Sequence, residues 1–131
     1  MNILGIDYGV RKIGLAVGDT ESKFAEPLMV VRYKEEEKAL ERVGQVAQVE
    51  RVEKVIVGIS EGRSAENTRE FGRKLARELE MPVEYYDETL STHEAQELSK
   101  QAGMKRKKRK SMEDAFAATL MLQNYLESMG Q

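Results

Sequence analysis

The sequence predicts an α/β fold in which helices flank a mixed five-stranded sheet, three antiparallel strands followed by parallel ones. Three observations carry that expectation. Apolar runs broken by glycine fill the first 31 residues without a helical period. From residue 35 onward, segments of helical period alternate with extended apolar runs. The run at 55–59 is continuous and mostly β-branched around Gly58, the pattern of a strand buried on both faces.

Ile3, Leu4 and Ile6 form the first run and lead into Asp7-Tyr8-Gly9; after a short turn, the run at 13–17 folds back on it as a hairpin. A third strand at 28–31 follows Pro27, a residue tolerated where a strand begins. Leu40, Val43 and Ala47 then recur at helical spacing among charged residues, which predicts a helix over 35–48 with one buried face. The strand at 55–59 comes next. Ser64 is placed to cap a helix in which Phe71, Leu75 and Leu79 recur every four residues. On its solvated side Arg69, Arg73 and Arg77 lie close enough to Glu66, Glu70 and Glu78 to pair. Pro82 opens a fifth strand at 83–86, with Asp87-Glu88 where it ends. Ser91 and Glu94 make a capping box for a short helix over 92–102, closed by Gly103. Ser111 opens the last helix, running to 129, with Met112, Ala115, Phe116, Leu122 and Leu126 available for burial.

A chain of 131 residues has room for one domain, and 40% hydrophobic with 6% aromatic residues suits an aliphatic core. There is no cysteine, which excludes disulfides, thiolate zinc sites and a cysteine nucleophile; any metal must sit on oxygen ligands or on the single histidine, His93. No apolar run approaches the roughly 18 residues that cross a bilayer, and the first residues read as a strand rather than a leader, so a cytoplasmic protein without a membrane partner is expected. The net charge of −2 hides a segregation. Lys105, Arg106, Lys107, Lys108, Arg109 and Lys110 stand in one block, which leaves 15 bases against 23 acids elsewhere.

Three acids carry the chemical argument. Asp7 follows a nearly all-apolar strand, where a carboxylate is costly unless bonded, paired or bound to a metal. Taken alone it reads equally as an Asx turn bonded near Gly9; Asp87 and Glu88 read as turn acids, and Asp114, three residues after Ser111, as a capping-box partner. In a mixed sheet with the hairpin first, however, strands one and five deliver acids to one sheet end and the last helix can present Asp114 beside them. Carboxylates a few Å apart resist joint ionisation, and Mg²⁺ or Mn²⁺ relieves the repulsion while taking its remaining ligands from water and phosphate. Such a site suits phosphodiester hydrolysis.

Gly5-Ile6-Asp7-Tyr8-Gly9, Gly14-Leu15-Ala16-Val17, Val57-Gly58, Asp87-Glu88 with Leu90-Ser91-Thr92 and Glu94-Ala95, and Glu113-Asp114-Ala115-Phe116-Ala117-Ala118 resemble, in order and spacing, the successive motifs of the YqgF/RuvX family. The resemblance spans nearly the whole chain. It implies a ribonuclease H-like fold shared with RuvC-type Holliday junction resolvases, and a nuclease that matures the 5′ end of pre-16S ribosomal RNA. It further implies that Asp7, Glu88 and Asp114 are the catalytic, metal-binding acids. Glu61, just beyond the fourth strand, and Asp87 are rivals for the place of Glu88. The chain departs from the family in having Ile59 where a proline usually follows the strand-four glycine, and Thr89 where an arginine often follows the acidic pair.

The block 105–110 would hold a nucleic-acid backbone that the acids by themselves repel, with structured RNA, branched DNA or a ribosomal precursor particle as the partner of a monomer or homodimer. Read without chemistry, it is a solubilising or ribosome-associating loop, and the whole chain a non-catalytic binding module. His93, among polar neighbours at a helix start, reads as a surface residue.

Overall fold

The computed structural model describes residues 1–59, 65–87 and 111–129. The elements in chain order are β1 (Asn2–Tyr8), β2 (Lys12–Asp19), β3 (Phe24–Arg32), α1 (Glu36–Val49), β4 (Val52–Ile59), α2 (Ala65–Leu79), β5 (Val83–Asp87) and α3 (Glu113–Ser128). They form the expected mixed sheet, in the order β3-β2-β1-β4-β5, so β1 is central. β1–β2 and β2–β3 pair antiparallel; β1–β4 and β4–β5 pair parallel, as short hairpin turns and helical crossovers respectively require.

Strand alternation divides the core into two. Leu4 and Ile6 of β1, Ile13 and Leu15 of β2 and Val55 and Val57 of β4 face α1 and α2, meeting Val43, Phe71 and Leu75. Ile3, Ala16 and Ile56 face the other way, against Ala118, Met121, Leu122 and Leu126 of α3. α3 lies close because glycines line its path. A side chain on Gly5 would press on Leu122 at 3.0 Å, and one on Gly14 would overlap the carbonyl of Asp114 at the start of the helix. The helix therefore begins at the end of the sheet where β1 stops and finishes over Gly18.

Some boundaries differ from the sequence expectation. Pro27 lies inside β3, opposite Ala16 and beside an irregularity in register, rather than at the strand's start. Among the described strands β3 lies at the edge of the sheet, the position in which a strand tolerates proline. Met112 rather than Ser111 holds the N-cap of α3, with no side-chain capping bond. Ser64, the expected helix at 92–102 and its signals at Ser91, Glu94 and Gly103 lie outside the described residues. Among the described residues no helix is long and apolar enough to cross a membrane.

Candidate active site

Asp7 is the penultimate residue of β1, and period-two alternation puts it on the α3 face with Ile3 and Gly5. Its register partners are Gly14 on β2 and Gly58 on β4. Cross-strand partners share a face, so the half-buried carboxylate of Asp7 stands between two residues without side chains. The row continues from Gly58 to Tyr86 of β5, which closes it against α3.

Asp114 reaches the same place from the far end of the sequence. It is the second residue of α3, and its backbone lies directly over Gly14, the strand partner of Asp7. One glycine thus separates the two acids' main chains. Asp114 Oδ2 accepts from Lys12 Nζ at 3.2 Å, and the N-cap beside it is Met112 rather than Ser111. Lys12 precedes Gly14 by two residues on β2 and so shares its face. Sequence reasoning missed Lys12, although counting back by two from Gly14 would have found it.

Asp87 takes the other side. It ends β5 opposite Ile59, in alternation with Val83 and Tyr85. Those two pack toward α1 and α2: Val83 on the core there, and Tyr85 with its hydroxyl donating to the Arg69 carbonyl at 3.1 Å. By strand alternation Asp87 therefore takes the face opposite to that of Asp7. Glu88, Glu61, His93 and the block 105–110 lie outside the described residues. Among the described residues no group of three His, Cys, Asp or Glu side chains is assembled to hold a metal. Asp7 and Asp114 supply two hard carboxylate donors, the ligand type that Mg²⁺ and Mn²⁺ prefer.

The turn beside the acids is braced. Tyr33, just past β3, donates its hydroxyl to the Gly9 carbonyl at 2.6 Å, and its N–H donates to the Arg11 carbonyl at 3.1 Å. Burial, then its hydrogen bond with Tyr8, pushes the Tyr33 phenol well above its ordinary value of 10, so it stays protonated as a donor. Gly9 lies in a tight bend, where an added Cβ would stand 2.6 Å from the Lys12 carbonyl. A larger depression of ≈600 Å³, lined by Glu35, Glu36, Lys74 and Arg77, lies between α1 and α2 on the face away from Asp7. Two of its charges pair with one another, Lys74 with Glu36 at 2.7 Å.

Comparison with known proteins bears on the chain as a whole. The sequence model of the RuvX family, described as a Holliday junction resolvase, matches residues 1–128. A Lactococcus lactis protein named "Putative pre-16S rRNA nuclease" is 37% identical over 134 residues, covering 96% of this chain and 94% of its own length. A protein of the same name from Halothermothrix orenii is 40% identical, with coverage of 96% and 94%. Among solved structures, T. thermophilus RuvC in complex with a Holliday junction substrate aligns with a TM-score of 0.65 at 22% identity, covering 100% of this chain and 97% of that one. The Fowlpox virus resolvase in complex with junction DNA aligns at 0.69 and 13% identity, each chain covered in full. At those identities the structural likeness is one of fold.

Proposed function

The chain belongs to the RuvX family, and on that premise we propose that it is a metal-dependent nuclease with the ribonuclease H-like fold, acting in the cytoplasm on the 5′ end of pre-16S ribosomal RNA. Asp7, Glu88 and Asp114 are its catalytic acids and would hold Mg²⁺ or Mn²⁺. The observation that carries the reading is the meeting of Asp7 and Asp114 across Gly14, with no side chain between them. The turning of Asp87 toward α2 supports Glu88 as the third acid.

Each residue has a task that follows from its setting. Asp7, half-buried at the end of the central strand, fixes one carboxylate against a rigid base. Asp114 brings the second on the first turn of α3, where the helix dipole favours an anion. Lys12 keeps a cation beside Asp114 and offsets part of the repulsion between the acids. When bound, the divalent ion supplies an activated water and stabilises the leaving oxygen, chemistry that needs neither cysteine nor histidine. Lys105 to Lys110 hold the nucleic-acid backbone.

Incubating the protein with pre-16S precursor and with four-way DNA junctions, beside Asp7→Asn, tests the reading. Metal-dependent cleavage of the precursor that vanishes in Asp7→Asn is the expected result. Cleavage of the junction alone moves the substrate to branched DNA, and cleavage that survives in Asp7→Asn refutes the site. A melting temperature indifferent to Mg²⁺ and Mn²⁺ leaves a non-catalytic binding module, since a bound ion stabilises by RT ln(1 + [L]/Kd), about 2.7 kcal/mol at 100 Kd.

A further inference from the structure

A strip of cations on the described surface plays, apart from Lys12 at its end, no part in the chemistry above. A cleft of ≈410 Å³ is lined by Arg11, Lys12, Arg32, Tyr33 and Lys34. A second, of ≈480 Å³, shares Arg32, Tyr33 and Lys34 with it and continues along α1 past Lys38 and Arg42. Among the described residues no carboxylate lines either cleft. Among the described residues, none of Arg11, Arg32, Lys34, Lys38 and Arg42 takes part in an ion pair.

Scattered surface cations are ordinary, but three features set this group apart. Lys12 and Arg32 are direct partners across the β2–β3 ladder, and although Asp114 accompanies Lys12, no described carboxylate pairs with Arg32. The walls are fixed, because two hydrogen bonds of Tyr33 tie the end of β3 to the 9–11 turn. The strip also ends at Lys12, 3.2 Å from Asp114, so a polyanion lying along it is led to the acid pair. All of this occurs in a chain of net charge −2, so it is not the by-product of a basic protein.

We infer that this strip, wrapping the free edge of the sheet at the end of β3, is the track for the sugar-phosphate backbone on one side of the scissile phosphate. The inference rests on the nuclease reading and extends it, since it places part of the substrate grip outside the block 105–110. Tyr33 packs against the core and its hydroxyl is committed to Gly9, so the track reads charge rather than base identity.

Binding of a labelled precursor RNA is measured in the Asp7→Asn background, which holds cleavage off, between about 50 and 200 mM salt, the range over which phosphate contacts show most clearly. Arg32→Ser/Lys34→Ser is compared with Arg69→Ser/Arg77→Ser on α2. Removing two duplex-phosphate contacts should lower the salt slope by about 1.8 and weaken binding roughly 60-fold near 0.1 M salt, while the α2 pair binds as the parent does. Lys34→Ser/Lys38→Ser is measured alongside, so that the result does not depend on the folding of one variant. An unchanged slope in both strip variants, with the wild-type protein still cleaving, overturns the track and leaves the nuclease standing. A wild-type protein that neither binds nor cleaves nucleic acid removes both. Equal weakening by the α2 pair reduces the effect to net charge and overturns the track.

Discussion

Replacing Gly14 with alanine tests whether the approach of α3 to β2 is what assembles the acid pair. The added Cβ would overlap the Asp114 carbonyl and stand 2.7 Å from the Ala115 nitrogen, where ordinary contact begins at 3.4 Å. The obstacle is backbone at the start of a packed helix, so the first turn of α3 must retreat by about 1 Å. Overpacking of this kind costs about 1–3 kcal/mol. For a chain of this size that lowers Tm by roughly 5–10 °C. A displacement of about 1 Å at a catalytic group costs on the order of 100-fold in rate. Gly18→Ala is the comparison: its Cβ meets the tip of Leu126 at 2.8 Å, a flexible side chain at the far end of the same helix. Melting curves with and without Mn²⁺, together with precursor cleavage, separate the two. Gly14→Ala should lose both the Mn²⁺ shift and the cleavage, whereas Gly18→Ala loses only stability. A Gly14→Ala protein that melts a few degrees lower yet keeps its full Mn²⁺ shift and rate would show that the closeness of Asp7 and Asp114 is incidental.

Leu122, fully buried on α3 over Gly5 and Gly18, should cost about 2–5 kcal/mol as Leu122→Ala in a denaturant melt; a loss under 1 kcal/mol would mean that α3 is not anchored to the sheet there. Glu84 pairs with Lys54 at 2.6 Å while Tyr125 donates to it at 2.9 Å, and the hydrogen bond from Lys54 holds its carboxyl below the ordinary 4.5 against the opposing push of burial. A depressed folded-state value means that the stabilisation is complete above pH 4.5 and disappears as pH falls through the lowered value. Because the Glu84 side chain is 49% exposed, Glu84→Gln should cost only about 0.5 kcal/mol at neutral pH, and the gap to the wild-type protein should close in acid. A gap that widens as pH falls contradicts the pairing.

Much of the architecture was legible because its signals are local. The glycine-broken hairpin, the β-branched run of β4 and the four-residue period of α2 each depend on neighbours in the chain, and the elements appear in the expected order. The boundaries that moved were set by distant contacts. β3 extends back through Pro27 because it has a partner on one side only, and the N-cap of α3 falls at Met112, where the helix meets the sheet over Gly14. Asp7 could be singled out because a carboxylate ending an apolar strand is conspicuous by itself. Lys12 carries no signal of its own at the start of β2, and its place follows only once Gly14 is known to seat Asp114.

The amino-acid order alone determined which segments extend and which coil, that carboxylates stand at the ends of the first and fifth strands, and that no thiol takes part in the chemistry. Only the folded sheet decided which face each of those carboxylates takes. A strand reverses its side chains at every residue, so one position of difference sends Asp87 toward α2 while Asp7 turns to α3. Periodicity is a property of the chain and can be read along it, whereas the pairing of Asp7 with Gly14, and the seating of Asp114 on that glycine, exist only where remote segments meet in space.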